Sequence, residues 1–390
     1  MCNGNEATIT GTAGNDRLRG TPGTDVIEGQ TGDDRISGLD GIDLICGGGG
    51  DDIILGGNDA DAAEGGGGDD VIREGVGGGN LHDIGLIRPG LAFYLVISGG
   101  PGEDRLFGGD DGDALMGGGG DDALRGNAGS EQFSGGLIGG GGDDRIYGGK
   151  GGDELDGDAG RDVLRYGPGR DGGDEGLDTG PGRDRAYGGS GNDDFCEGVS
   201  VSEARNDTYR GGPGNDQLCA SASKKTPART SFGGGPGRDR FFLDGGAVSI
   251  RLDDEPNDDF GCRSGCGRNN VKSDIEKLTV EAPGGLLVGS QLDNEIRAHA
   301  ANSEVFTLIG LGGDDLLFGS FGNDMIDAGA GNDRVFGDSG DDEIAGSTGD
   351  DDLRGELGND NLDGGEGTDR CDGGPDIDEA LACEVLVSVP

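Results

Sequence analysis

The chain has 390 residues, of which 93 are glycine, and its 30 basic and 78 acidic residues give a formal net charge of −48. A chain with this charge repels itself and carries too little apolar surface to offset the entropy lost on ordering, so it must stay unfolded or bind positive charge. The charge also argues against nucleic acid and anionic membranes as partners, because both are bound by basic patches that the sequence does not show.

Residues 1–73 comprise an N-terminal segment and a first block of seven contiguous nine-residue units that begins at Gly11. The units share the pattern G-x-x-G-x-D-x-U-x, where U is a large aliphatic residue, as in GGGGDDIIL from Gly47 to Leu55. One unit, GGNDADAAE, departs from it twice, with Ala63 at the aliphatic position and Asp59 in place of the fourth glycine, which weakens its turn as a candidate site. The sixth position is aspartate in all seven: Asp16, Asp25, Asp34, Asp43, Asp52, Asp61 and Asp70.

Residues 74–98 interrupt the repeats, and the apolar stretch GLAFYLVIS within them predicts an extra strand that caps or lines the repeat structure. Residues 99–165 form a second block of four units and, after a four-residue insertion, three more. Asp111 replaces a fourth glycine and Glu131 replaces a sixth-position aspartate, which weakens these two turns as candidate sites. The remaining sixth positions are Asp104, Asp113, Asp122, Asp144, Asp153 and Asp162.

The second half of the chain loses the repeat and then recovers it. Residues 166–246 hold only isolated units, and residues 247–309 form a non-repeat insertion whose segments VSIRLDD and SDIEKLTVEA alternate like ordinary strands. Within 166–246, KKTPAR at 224–229 is interpreted as a solvated loop. Residues 310–390 contain seven contiguous units, a degenerate eighth, GGPDIDEAL, and a C-terminal cap. The sixth-position aspartates of these regions are Asp184, Asp193, Asp216, Asp239, Asp315, Asp324, Asp333, Asp342, Asp351, Asp360 and Asp369.

A fixed nine-residue period predicts an all-β solenoid in which neighbouring units complete one another's core. The first six residues of each unit are turn formers, because glycine tolerates positive φ angles and aspartate can hydrogen-bond its own backbone. The last three form a minimal strand that points U inward. Two units then make one coil, and coils stack at about 4.8 Å. The ladder of aliphatic side chains is the only core this pattern provides.

Stacking also places each sixth-position aspartate over the one two units earlier. A column of carboxylates at about 5 Å spacing is repulsive unless cations lie between them. Calcium suits such a column, because it takes six to eight oxygens from carboxylates and backbone carbonyls, and glycine turns leave carbonyls accessible. One ion for each pair of units n and n+2 in the well-formed blocks gives about 13 ions, whose charge offsets about half of the net charge.

The repeat resembles the G-G-x-G-x-D-x-U-x nonapeptide of the haemolysin-type, or repeats-in-toxin (RTX), calcium-binding proteins, as GGGGDDIIL, GGPGEDRLF and GGGGDDALR illustrate. The ends, ATITGTAGNDRLRGTPGTDVIEG and DRCDGGPDIDEALACE, look like those of secreted actinobacterial members. The resemblance implies a right-handed parallel β-roll with calcium between consecutive turns, bound by sixth-position aspartates and turn carbonyls. It also implies that the non-repeat insertion continues the stack.

The eight cysteines fall into close pairs, Cys196 with Cys219, Cys262 with Cys266 and Cys371 with Cys383, which leaves Cys2 with Cys46. We interpret them as disulfides formed in an oxidising compartment. Free thiols remain an alternative, whereas zinc is disfavoured because only two histidines, His82 and His299, are present. No signal peptide is visible, so secretion is expected only if a leader was removed.

A search for catalytic motifs finds neither HExxH nor GxSxG nor a phosphate-binding GxxxxGK[ST]. GDSG at Gly337 to Gly340 falls in phase with the repeat and is interpreted as repeat sequence. The sequence therefore predicts a secreted, non-catalytic calcium-binding protein with a structural or surface-associated role. Two alternatives are an adhesin that contacts a cell-surface or glycan partner through the irregular segments, and the repeat region of a larger secreted enzyme or toxin.

Overall fold

The structure is a computed structural model that describes residues 2, 4–59, 61–76, 96–109, 114–128, 136–151, 153–168, 177–196, 207–222, 230–246, 248–253, 258–260, 270–300 and 303–387. All regular secondary structure in these residues is β-strand. Several features of the sequence analysis lie outside them: Asp111, Asp113, Glu131, His82, Cys262, Cys266, residues 77–95 and the loop 224–229. The chain divides into two compact units, Met1–Gly198 (unit 1) and Val199–Pro390 (unit 2).

Unit 1 is built from short strands, because each repeat offers only a few residues between two glycine-rich turns. Its strands in the described residues are β1 (Ile9–Thr10), β2 (Arg17–Arg19), β3 (Val26–Thr31), β4 (Arg35–Asp40), β5 (Leu44–Gly49), β6 (Ile53–Asn58), β7 (Ala62–Gly67), β8 (Val71–Val76), β9 (Val96–Pro101), β10 (Arg105–Phe107), β11 (Ala114–Gly119), β12 (Ala123–Ala128), β13 (Leu137–Gly141), β14 (Arg145–Lys150), β15 (Leu155–Ala159), β16 (Val163–Pro168), β17 (Leu177–Asp178), β18 (Arg185–Ser190) and β19 (Asp194–Phe195).

Strands β1 to β18 of unit 1 alternate between two parallel sheets. The odd sheet has the order β1-β3-β5-β7-β9-β11-β13-β15-β17, and the even sheet runs from β2 through every even strand to β18. Equivalent repeat positions pair, as Ile36 does with Ile54. Within the interrupting segment, Val96 to Ser98 belong to β9, which pairs with β7 and β11. The remainder of GLAFYLVIS lies outside the described residues. The predicted all-β, parallel β-roll is confirmed.

Unit 2 follows the same plan with additional, less regular strands. They are β20 (Thr208–Arg210), β21 (Gln217–Ala222), β22 (Ser231–Gly233), β23 (Arg240–Gly245), β24 (Val248–Arg251), β25 (Asp259–Phe260), β26 (Asn270–Val271), β27 (Lys277–Glu281), β28 (Gly285–Val288), β29 (Glu295–His299), β30 (Phe306–Ile309), β31 (Leu316–Phe318), β32 (Met325–Ala330), β33 (Arg334–Ser339), β34 (Glu343–Thr348), β35 (Asp352–Leu357), β36 (Asn361–Asp363), β37 (Arg370–Asp372), β38 (Glu379–Leu381) and β39 (Val385–Leu386).

Strands of the non-repeat insertion join the same sheets as the repeat strands of unit 2. One sheet contains the order β21-β23-β27-β29-β31-β33-β35-β37-β39, and another has the order β25-β24-β28-β30-β32-β34-β36-β38. Only the pair β24 and β25 is antiparallel among these strands. The insertion therefore supplies coils to the stack even though its sequence has lost the glycine turns.

The core of each unit is a thin ladder of inward side chains from the two sheets. In unit 1 the eighth-position residues Ile27, Ile54, Leu124 and Leu164 have exposed fractions of 0%. In unit 2 aromatic side chains widen the ladder, and the rings of Tyr209 and Phe232 stack with their centroids 5.2 Å apart. Four aromatic side chains of unit 2 are fully buried in this ladder: Tyr209, Phe232, Phe241 and Phe306.

The second position of the repeat adopts a left-handed backbone, which explains why glycine dominates there. Gly48 has a φ of 118°, and a Cβ at this position would lie 2.0 Å from the carbonyl oxygen of Gln30 in the preceding coil. Gln30 and Leu39 occupy the same position without being glycine, with φ of 88° and 96°. Their backbones carry the strain that L-residues have at positive φ.

Two of the predicted disulfides are confirmed, Cys2–Cys46 and Cys371–Cys383. Cys196 and Cys219 are both disulfide-bonded. Cys262 and Cys266 lie outside the described residues. The link from Cys2 to β5 ties the N-terminal segment to the first sheet, and a cross-link over 44 residues removes conformations mainly from the unfolded chain.

Because the core is a single ladder, we expect Leu164→Ala to lower the free energy of unfolding by about 2–5 kcal/mol. Val163→Ala is the matched control, since this side chain points to the opposite face of β16 and is only half-buried, and it should cost less than about 1 kcal/mol. Denaturant-induced unfolding in saturating calcium measures both. Equal losses would contradict a ladder core.

Candidate metal centre

The structure places the predicted aspartates inside the coils. All of the proposed ligands except Asp113, which lies outside the described residues, can be located. Asp16 is half-buried, and every other one is buried, with an exposed fraction of 5% or less. The turns therefore direct these carboxylates inward, against the core, where a charged group needs a partner.

Along columns of stacked aspartates, the first carboxylate oxygen is held by a backbone N–H of the preceding coil. The N–H of Asp34 donates to Oδ1 of Asp52 at 2.7 Å, and the N–H of Asp52 donates to Oδ1 of Asp70 at 2.8 Å. The same bond spans the inserted residues between Asp70 and Asp104. Such bonds form continuous columns through Asp16, Asp34, Asp52, Asp70, Asp104, Asp122, Asp144, Asp162 and Asp184 in unit 1 and through Asp324, Asp342, Asp360 and Asp378 in unit 2.

The second oxygen, Oδ2, is buried and has no hydrogen-bond partner within the described residues. This is the position in which a bound cation would be expected, because an unpaired buried carboxylate oxygen is strongly unfavourable. The aspartates concerned are Asp34, Asp43, Asp52, Asp61, Asp70, Asp104, Asp122, Asp144, Asp153, Asp162, Asp239, Asp315, Asp333, Asp342, Asp351, Asp360, Asp369 and Asp378.

Backbone carbonyls surround these oxygens. A Cβ added at Gly47, the first glycine of its repeat, would lie 2.2 Å from Oδ2 of Asp52 and 2.7 Å from the carbonyl oxygen of Gly65 in the next coil. Only glycine allows this convergence of a carboxylate and a carbonyl. Carboxylate and carbonyl oxygens are the ligands that calcium prefers, so the donor set fits the ion.

A second class of sixth-position aspartate is already satisfied by the protein. Oδ2 of Asp25 accepts hydrogen bonds from the backbone N–H and the hydroxyl of Thr21, at 2.6 and 2.9 Å. Thr12 contacts Asp16 in the same way, and Ser320 contacts Asp324. In these three units a hydroxyl residue at the second position occupies the oxygen that remains free elsewhere, whereas Ser347, at the same position, bonds Asp327 and leaves Oδ2 of Asp351 without a partner in the described residues.

The pKa values of Asp52 and Asp25 show how the partner of Oδ2 acts on the carboxyl group. Burial, reinforced by neighbouring carboxylates, raises the pKa of Asp52 to about 6 and of Asp61 and Asp70 to about 7. Burial also acts on Asp25, but its hydrogen bonds from Thr21 outweigh burial and lower its pKa. Without a cation, Asp52, Asp61 and Asp70 therefore hold a proton far more readily than ordinary aspartates do.

Several residues of these columns were missed by the sequence analysis. Asp378 belongs to the degenerate eighth unit, and its Oδ1 accepts from the N–H of Asp360. Glu276 and Glu384 take the place of aspartate, accepting from Asp239 and Asp369. Asp378 keeps the nine-residue phase and could have been found, whereas the two glutamates stand outside any recognisable unit.

The fifth position also contributes a ladder that the sequence analysis did not identify. Oδ1 of Asp33 accepts from the N–H of Asp51, and Oδ1 of Asp51 accepts from the N–H of Asp69, at 3.1 and 3.0 Å. These side chains are exposed and bond toward the earlier coil. The frequent pairs DD and ND in the repeats were the signal.

Within the described residues, no group of three or more His, Cys, Asp or Glu side chains is arranged to hold a metal ion. The columns account for this, since each repeat unit offers one buried carboxylate to its column and the neighbouring oxygens belong to backbone carbonyls.

The comparisons agree with this geometry. The family model of the RTX calcium-binding nonapeptide repeat matches residues 10–45, 47–75, 96–115, 107–137, 138–172, 171–196, 203–218, 309–344 and 345–380. A search of the curated proteins finds no match. In the part of the chain that the structure describes, no helix is long and apolar enough to cross a membrane. Because the family matches cover more than half of the chain, this protein belongs to the RTX calcium-binding nonapeptide-repeat family.

Proposed function

We propose that the chain is an extracellular, non-catalytic structural module whose fold depends on calcium bound between successive coils. The observation that carries this proposal is the column of buried carboxylates with one unpartnered oxygen each. Divalent cations in these turns would remove the electrostatic penalty of a chain with net charge −48. The family membership supports calcium as the ion.

The proposed ligands are the sixth-position aspartates with an unpartnered Oδ2, together with turn carbonyls. Asp378 joins the set expected from the sequence. Asp16, Asp25 and Asp324 leave it, because Thr12, Thr21 and Ser320 already bond their Oδ2. About 13 ions are expected if each pair of units n and n+2 binds one ion. The pairs that include these three aspartates are the least favourable of these candidate sites.

Secretion is part of the proposal, supported by two kinds of observation. The disulfides Cys2–Cys46 and Cys371–Cys383 form and persist in oxidising compartments. Extracellular calcium modules are tuned to dissociation constants of about 10⁻⁴ to 10⁻³ M, which keeps them empty in the cytosol and filled outside the cell. Folding would then follow export.

We expect the calcium-free protein to be largely unfolded at neutral pH and to fold when millimolar calcium is added, because the ion binds only the folded state. Far-ultraviolet circular dichroism with chelator, and then with calcium, measures this. Magnesium at the same concentration is the control, since its strict octahedral geometry suits carbonyl-lined turns poorly. An unchanged β signal in chelator would refute the proposal.

The two classes of aspartate predict different responses to the same substitution. Asp52→Asn should remove at least one bound ion and raise the calcium concentration at the folding midpoint about tenfold or more, since it removes a charged ligand. Asp25→Asn should leave the number of bound ions unchanged, because Thr21 occupies the free oxygen of Asp25. Isothermal titration calorimetry distinguishes the two. If both variants lost the same number of bound ions, the assignment of Asp52 and Asp25 to different classes would be wrong.

The raised carboxylate pKa values predict that calcium competes with protons. Burial raises the pKa of Asp61 to about 7 and of Asp162 to about 8, from 3.8. A group whose folded pKa exceeds its unfolded value favours folding at low pH and opposes it as pH rises through the folded pKa. The calcium-free fold should therefore become more stable as the pH is lowered from about 7 to about 4.

Calcium binding should change with pH in the opposite direction, since bound calcium requires deprotonated carboxylates. We expect the calcium concentration at the folding midpoint to rise as pH is lowered from about 8 to about 5. Calcium titrations followed by circular dichroism at both pH values measure it. A midpoint independent of pH would indicate that the buried aspartates are not the ligands.

A further inference from the structure

The outer face of the even sheet in unit 1 collects arginines that are far apart in the sequence. The seventh and ninth repeat positions of β2 to β18 point outward together, because residues i and i+2 of a strand share a face. This arginine face has no acidic residue in either column, and its arginines are all exposed: Arg17, Arg19, Arg35, Arg73, Arg105, Arg125, Arg145, Arg165 and Arg185.

From β8 to β18 the arginines form a checkerboard. The ninth-position residues of successive strands are, in order across the sheet, Arg73, Phe107, Arg125, Tyr147, Arg165 and Tyr187. The strands whose ninth residue is aromatic have an arginine at the seventh position instead. These arginines are Arg105, Arg145 and Arg185. Strand spacing then puts neighbouring arginines of one column about 9.6 Å apart.

The aromatic rings hold the guanidinium groups in place without neutralising them. The guanidinium carbon of Arg73 lies 4.4 Å from the ring centroid of Phe107, and that of Arg165 lies 5.0 Å from the centroid of Tyr187. Arg125 stacks on Tyr147 at 5.3 Å. A guanidinium stacked by its face keeps its N–H donors at the edge, available for bidentate bonds to an external anion.

Unit 2 provides an internal comparison, because its stacked arginines are already paired. Arg297 lies over Phe318 but also forms a salt bridge with Glu295. Arg354 lies near Phe336 and bonds Asp352. Within the described residues of unit 1, none of the nine arginines of the arginine face forms a salt bridge, and the opposite sheet carries Glu28, Glu64 and Asp156 at its ninth positions.

We propose that the arginine face binds a linear acidic polysaccharide lying along the stack of coils. Charge complementarity requires an anionic occupant, and regular arginine spacing suits a polymer that carries a carboxylate at regular intervals. The face is two side chains wide on each strand, with neither a helix nor a ribbon that could enter a duplex groove. Duplex DNA, with a charge every ~1.7 Å, would also be repelled by the acidic turns on both sides.

The test uses the full, calcium-loaded chain and hyaluronan fragments, which carry one carboxylate on every second sugar, with uncharged dextran of matched length as the negative control. Binding is measured by isothermal titration calorimetry at physiological ionic strength and should weaken as salt is added. Arg105→Gln, Arg125→Gln, Arg145→Gln and Arg165→Gln, combined, should weaken hyaluronan binding about tenfold or more. The matched control combines Arg161→Gln, Arg183→Gln, Arg238→Gln and Arg334→Gln, which removes the same charge elsewhere and should have little effect.

Circular dichroism in calcium checks that each variant folds. If the fourfold variant does not fold, the pairs Arg105→Gln with Arg145→Gln and Arg125→Gln with Arg165→Gln test the two columns separately, and either should weaken binding. The proposal is overturned if hyaluronan does not bind, if it binds equally to both fourfold variants, or if dextran binds as well. Tighter binding of an oligothymidylate would assign the face to nucleic acid instead. Arginine-dependent self-association in sedimentation would assign it to a second copy of the chain.

Discussion

Buried aspartates such as Asp52 and Asp70 each have one carboxylate oxygen that nothing in the described residues bonds, and the rest of the architecture depends on this feature. A backbone N–H of the preceding coil fixes Oδ1 of both aspartates, so these carboxylates cannot turn away from the interior. Burial then raises the pKa of groups such as Asp61 and Asp70. A proton or a cation must occupy the turn, and the family membership makes calcium the natural occupant.

The glycines follow from the same requirement. The first glycine of a repeat has no room for a Cβ beside the carboxylate, as Gly47 illustrates against Asp52, and the second has a left-handed backbone. Most substitutions are therefore excluded at the glycines by the backbone and the carboxylate, and at the inward aliphatic position by the core. A hydroxyl at the second position is an informative exception, because Thr21 replaces the expected cation with its own hydrogen bonds.

Much of this could be predicted from the sequence, because one nine-residue period places turns, carboxylates and core residues at once. The parallel β-roll and the burial of residues such as Asp52 and Ile54 follow from phase alone. The satisfied state of Asp25 could not be predicted from a hydroxyl at the second position alone, since Thr21 bonds the aspartate of its own unit whereas Ser347 bonds Asp327. Glu276 was missed because its side chain reaches the column from outside any repeat. The arginine face was also missed, and the statement that basic patches are lacking was wrong for unit 1, because Arg105 and Arg145 meet only after folding.

The alternation of repeats between two sheets restricts how such a chain can change in length. Gain or loss of one nine-residue unit would transfer every later repeat to the opposite sheet, so an arginine column would be split between two surfaces. Gain or loss of two units preserves both surfaces and both columns of carboxylates. The interruption before β9 obeys this parity, since Arg73 and Phe107 still lie side by side in one sheet. Related chains that keep the arginine face should therefore differ in their number of repeats by whole coils of two units, even where other residues are inserted between coils.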